Sequence, residues 1–90
     1  MKRLQLLITG RVQGVGFRWF VRETATSVGA SGWVKNESDG TVNAEAQAPE
    51  EILEKLLRQL RAGNGWAAVK EIRTNPLPVS ENETGFEIKT

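Results

Sequence analysis

One segment of the chain is dense in groups that bind anions. Gly10-Arg11-Val12-Gln13-Gly14-Val15-Gly16-Phe17-Arg18 places three glycines ahead of an arginine. Glycines allow successive backbone N–H groups to converge on one point, and a helix that starts just after them adds the free donors of its first turn, with the positive end of its dipole behind them. An arginine two residues past the last glycine offers a planar fork for two phosphate oxygens. The segment is not a Walker A loop, because no Lys-Ser/Thr follows the glycines, and Gly14-Val15-Gly16-Phe17-Arg18-Trp19 lacks the third glycine of the dinucleotide fingerprint. Taken alone, the pattern fits an anion cradle and a tight structural turn equally well.

Missing residue types narrow the chemistry further. The chain has no Cys and no His, so disulfides, the usual zinc sites, thiol and imidazole chemistry and a Ser-His-Asp triad are excluded. Its one aspartate, Asp39, lies in a turn signal, so paired-carboxylate chemistry would need glutamates. Twelve Lys/Arg against eleven Asp/Glu leave a net charge of +1, which gives no bulk basic field for nucleic acid. No stretch approaches the roughly twenty apolar residues that span a membrane. Gln5 and Thr9 interrupt the charged start before a signal-peptide pattern develops, and a cytoplasmic protein is expected.

The elements that position the glycine segment follow from periodicity. Leu4, Leu6 and Ile8 alternate with Arg3, Gln5 and Thr9, which predicts a first strand over about residues 3–10. From Phe17 the apolar spacing changes to three and four through Val21, Ala25 and Val28. Gly29 follows as a stop, giving a helix of about twelve residues. Ala30–Asn36 is expected as a second strand leading into the hairpin signal Asp39-Gly40. Val42, Ala44, Ala46 and Ala48 then alternate with polar residues, and their small inward side chains suit a strand beneath a helix. Pro49 opens a second helix with the apolar stripe Ile52/Leu53, Leu56/Leu57 and Leu60; its glutamates are expected to form i,i+4 pairs, Glu51–Lys55 and Glu54–Arg58. Gly63-Asn64-Gly65 reads as a loop, Val69–Thr74 as a strand, Pro76–Glu83 as a loop, and Phe86 with Ile88 as a short last strand. Trp33 and Phe17 are expected in the core, and Trp19 and Trp66 at partly exposed packing positions.

The order β-α-β-β-α-β plus a terminal strand predicts an α+β ferredoxin-like sandwich with two helices on one face of an antiparallel sheet of four to five strands. The first strand then lies between the third and fourth, and the second lies at the edge. The first two strands run parallel with the third between them, so the glycine loop and the end of the second strand emerge together, about 10 Å apart. Residues 1–90 are read as one domain. Ninety residues expose about 14,500 Å² unfolded and roughly 5,200 Å² folded, enough for one modest core.

Two blocks carry a family resemblance. Gly10-Arg11-Val12-Gln13-Gly14-Val15-Gly16-Phe17-Arg18 closely resembles the signature of the acylphosphatase family, and Gly32-Trp33-Val34-Lys35-Asn36 with Asp39-Gly40-Thr41-Val42 resembles its second block. The resemblance extends to the closing Gly85-Phe86-Glu87-Ile88. It implies the same βαββαβ fold and hydrolysis of the carboxyl–phosphate bond of small acyl phosphates, releasing inorganic phosphate, with no metal and no cofactor. It implies that Arg18 binds the phosphoryl group together with the loop amides of Val12, Gln13, Gly14, Val15, Gly16 and Phe17, and that Asn36 orients the attacking water. Gly63-Asn64-Gly65-Trp66-Ala67-Ala68 departs from the family, where a Pro- or Ser-containing link is common.

Arg11 and Gln13 are read as solvated loop residues ahead of any role in attracting the anion. A monomer without nucleic-acid or membrane partners is expected. The competing reading is a non-catalytic phosphate-binding or accessory domain of the same fold, against which the short span of the chain favours a free-standing enzyme. An RNA-binding sheet is rejected, because Thr41, Asn43, Glu45 and Gln47 on the third strand offer no aromatic platform.

Overall fold

Residues 1–90 are described by a computed structural model. The elements are β1 (Lys2–Arg11), α1 (Phe17–Ser27), β2 (Ser31–Asn36), β3 (Val42–Ala48), α2 (Glu50–Ala62), β4 (Ala68–Leu77) and β5 (Phe86–Lys89). They form one five-stranded sheet in the order β4-β1-β3-β2-β5, with α1 over β2 and β5 and α2 over β3 and β4. The surface accessible to solvent is 5267 Å², the value the chain length leads one to expect.

The core lies between the helices and one face of the sheet. Phe17, Val21 and Ala25 recur every four residues along α1, and Leu53, Leu56 and Leu60 form the buried stripe of α2. Beneath them Leu6, Ile8, Val34 and the run Val42, Ala44, Ala46, Ala48 are closed to solvent. Each fully buried large apolar side chain contributes about 1.5–3 kcal/mol. At the end of α1, Gly29 N–H donates to Thr26 O and Ala30 N–H to Ala25 O, the paired bonds of a Schellman stop, as the glycine there predicted.

Several expectations need correction. The sheet is mixed rather than antiparallel, and β2 is not an edge strand: β5 lies outside it and runs parallel, Gly32 opposite Phe86 and Val34 opposite Ile88. The chain reaches that position by crossing the open face of the sheet. Ser80 N–H donates to Gln47 Oε1 (2.8 Å) while Gln47 Nε2 returns a bond to Ser80 O (2.9 Å), and Arg3 grips Glu83 through both Nη atoms at 2.8 and 3.1 Å. Arg3 and Gln47, outward in the sequence pattern, are thereby buried under this strap. Pro76 does not begin a loop but lies within β4, an edge strand, where a missing N–H is tolerated. Trp33 is half-buried on the open face, because the strand phase turns Gly32, Val34 and Asn36 toward the helices; Lys89 Nζ sits 4.8 Å from its ring centre. Neither expected ion pair on α2 closes, and the glutamate at its start, Glu50, pairs with Lys2 instead.

Candidate active site

β1 and β2 both run antiparallel to β3, so their C-terminal ends meet at one end of the sheet, and β5 ends there too. The loop Val12–Gly16 leaves β1 at that end and feeds α1. Its two flanks are held by apolar side chains, Val12 and Phe17, each only 1% exposed. Between them the backbone changes hand residue by residue. Gly14 has φ 74° and Gly16 φ 72°, whereas Val15 keeps an ordinary negative φ. This alternation turns successive N–H groups toward one concavity, the geometry of a backbone anion nest.

No backbone N–H from Val12 through Trp19 has an acceptor in the protein. Gly16 is the N-cap of α1 and brings no side chain to satisfy the first turn, and that turn carries no acidic residue. The start of α2 is built the other way, with Glu50 and Glu51 at its positive end. One helix neutralises its own terminus and the other leaves it open.

A pocket of about 190 Å³ lies in front of this terminus, lined by Val12, Gly14, Gly16, Phe17, Arg18, Trp19, Asn36 and Ile88. It is smaller than the roughly 300–1,000 Å³ of a pocket for a drug-sized ligand. Arg18 and Asn36, 18 residues apart in the chain, share it. Asn36 arrives there because it continues the helix-facing phase of Gly32 and Val34 one step past the covered core. Its Oδ1 is buried and receives no hydrogen bond from the protein, an uncommon state for a buried acceptor.

Gln13 and Val15, expected among the phosphate-binding loop residues, do not line the pocket. Gln13 instead fastens the loop to the β2–β3 turn: its Nε2 donates to Glu37 O (2.7 Å) and Thr41 O (2.8 Å). That turn closes through the Glu37–Thr41 backbone bond and through Asp39, whose carboxylate accepts from the Thr41 hydroxyl and N–H and is held below its ordinary pKa by them. Gln13 therefore fixes Asn36 relative to the glycine loop. Arg11 is not a free loop charge, since its Nη2 donates to Trp66 O at 2.8 Å. The pocket wall formed by Ile88 was not foreseen, because it depends on the parallel pairing of β5.

Nowhere in the chain do three or more His, Cys, Asp or Glu side chains gather in a group that could hold a metal ion, and no helix is long and apolar enough to cross a membrane. A larger cavity of about 410 Å³ between the start of β1 and α2 is lined by Leu4, Leu53, Leu57 and Leu77 among others and contains none of the residues singled out for chemistry.

Comparison with known proteins places this geometry in context. The family model described as Acylphosphatase matches residues 4–88. The chain is 42% identical over 89 residues to an acylphosphatase of Clostridium beijerinckii, covering 99% of both chains. It superposes on the crystal structure of acylphosphatase from Bacillus subtilis with a TM-score of 0.95 at 34% identity, covering all of both chains. It also superposes on T. kodakarensis HypF with a TM-score of 0.88 at 28% identity, where it covers 12% of that longer chain.

Proposed function

The chain belongs to the acylphosphatase family and is an enzyme acting on small acyl phosphates; from that premise we propose that the pocket at the start of α1 is its active site, with Arg18 and the loop amides as the phosphoryl cradle and Asn36 as the group that orients water. The observation that carries this reading is the run of uncommitted N–H groups from Val12 through Trp19, beside a pocket that Gly14, Gly16, Arg18 and Asn36 share.

An acyl phosphate dianion is attacked by water at phosphorus. The P–O bond to the acyl group breaks, the acyl oxygen departs as a carboxylate, and one water proton passes to a phosphoryl oxygen, leaving dihydrogen phosphate. Charge and atoms balance without a side-chain base, so a site lacking His and Cys suffices. The leaving group is a weak base and needs little protonation. Catalysis then rests on positioning and on stabilising charge over the phosphoryl oxygens. Arg18 grips two of them and the amides hold the rest, already oriented before substrate arrives. The uncommitted Oδ1 of Asn36 accepts a hydrogen bond from the attacking water.

The reading includes action in the cytoplasm as a monomer of one domain, and the net charge of +1 supports action without nucleic acid. The second reading, an accessory phosphate-binding module, draws on the HypF match, where the fold is a small part of a longer chain.

Phosphate release from benzoyl phosphate, measured in excess chelator with phenyl phosphate as control, tests the reading. Wild type is expected to cleave only the anhydride, at the same rate with and without chelator, and Arg18→Gln to lose at least about a hundredfold in kcat/KM. Near-normal turnover by Arg18→Gln removes Arg18 from the cradle. Phosphate binding by folded wild type without turnover favours the accessory module.

A further inference from the structure

The loop between α2 and β4 reaches the glycine loop through one side chain. Asn64 Oδ1 accepts from Trp66 N–H (3.0 Å) and Ala67 N–H (2.9 Å), and its Nδ2 donates to Val15 O at 2.9 Å. Both ends of the amide are committed, so its orientation is fixed by its neighbours. The same segment holds the other flank of the loop through the bond from Arg11 to Trp66 O.

The bond to Val15 decides what the pocket sees. A trans peptide is planar, with its C=O and the following N–H pointing in opposite directions. Holding Val15 C=O toward Asn64 therefore turns Gly16 N–H to the other side, and that N–H has no acceptor in the protein. Nothing in the loop backbone would prevent the Val15–Gly16 plane from turning over, because glycine accepts either sign of φ at little cost. A turned plane would present a carbonyl oxygen where an anion needs a donor.

We propose that Asn64 is a positioning residue for phosphoryl binding, a latch that keeps the Val15–Gly16 peptide with its N–H toward the pocket. The inference rests on the reading of the glycine loop as the phosphoryl cradle. Its consequence is specific. If release of the latch leaves only about a tenth of unliganded molecules with the plane in the binding orientation, apparent affinity falls by that factor, while bound enzyme turns over normally. KM and the inhibition constant for phosphate rise together, and kcat holds.

Asn64→Ser is the test, because its hydroxyl still serves the Trp66 and Ala67 amides but is too short to reach Val15. Benzoyl phosphate kinetics and inhibition by inorganic phosphate are expected to show KM and the inhibition constant both raised about tenfold, kcat within twofold, and an unchanged melting temperature. Asn64→Asp, which keeps the length and the acceptor but lacks the donor, serves if the serine variant does not fold; its loss is expected to persist at high salt, where the added charge is screened. Unchanged phosphate inhibition in a folded Asn64 variant, or a fall in kcat at constant KM, overturns the latch. Arg18→Gln measured alongside separates the two claims. If it alone weakens phosphate binding, only the latch is wrong; if it too binds phosphate normally, the cradle itself fails.

Discussion

In the proposed reaction Arg18 and Asn36 divide the work at the pocket by the chemistry of their end groups. A guanidinium stays charged and presents donors in a fork, which suits binding. A carboxamide is neutral and presents one acceptor and one donor unit, which suits holding a water without repelling the substrate. Asn36→Ala is accordingly expected to keep the inhibition constant for phosphate within about twofold while kcat falls on the order of a hundredfold. Steady-state rates with product inhibition check this, and a variant that loses phosphate affinity and fold together makes Asn36 a structural turn residue. Arg18 was legible in the loop motif itself, whereas Asn36 stood out only through the family resemblance, because a strand read with Trp33 in the core has the opposite phase to the one observed. The roles of Gln13, Arg11 and Asn64 were not. Each bonds to a carbonyl oxygen of a distant segment, and a carbonyl is the same at every position, so nothing in the sequence marks the partner.

At the scale of elements, strands and helices followed from apolar period, and the misreadings arose where an element met something distant. Pro76 reads as a loop residue until β4 is known to be an edge strand. Arg3 reads as outward and solvated until the segment after β4 is seen to cross over it. That crossing gives a pH signature. Glu83 is held below its ordinary value of 4.5, first by the hydrogen bonds from Arg3 and then, among smaller effects, by one from Ser31. Because its folded pKa lies below the unfolded one, the Arg3–Glu83 pair contributes fully above about pH 4.5 and loses its contribution as pH falls through the depressed value. Glu83→Gln is expected to lower the melting temperature on the order of 10 °C at neutral pH, from about 1–3 kcal/mol for a largely buried charged pair. The gap to wild type should narrow as pH is taken below 4.5. A gap that stays constant down to pH 3 contradicts this assignment.

For the molecule as a whole, topology does the assembling. Two strands separated by a third, and a fourth added in parallel beyond them, bring a loop, a helix start, an asparagine and Ile88 to one end of the sheet, while the strap secures the opposite end. The expectation that the glycine loop and Asn36 would meet needed only the β1-β3-β2 order and held although β2 is not the edge strand expected, since β5 adds outside it without disturbing that order.

If the backbone from Val12 through Trp19, with Arg18, is the phosphoryl cradle, inorganic phosphate binds there. The most direct measurement is a titration of ¹⁵N-labelled protein with inorganic phosphate, followed residue by residue through the amide shifts. Saturable shifts are expected, concentrated at Gly14, Gly16, Phe17 and Arg18, with the start of α2 and the open face of the sheet unmoved. Shifts that leave those four amides in place, or that centre on another surface, would contradict it.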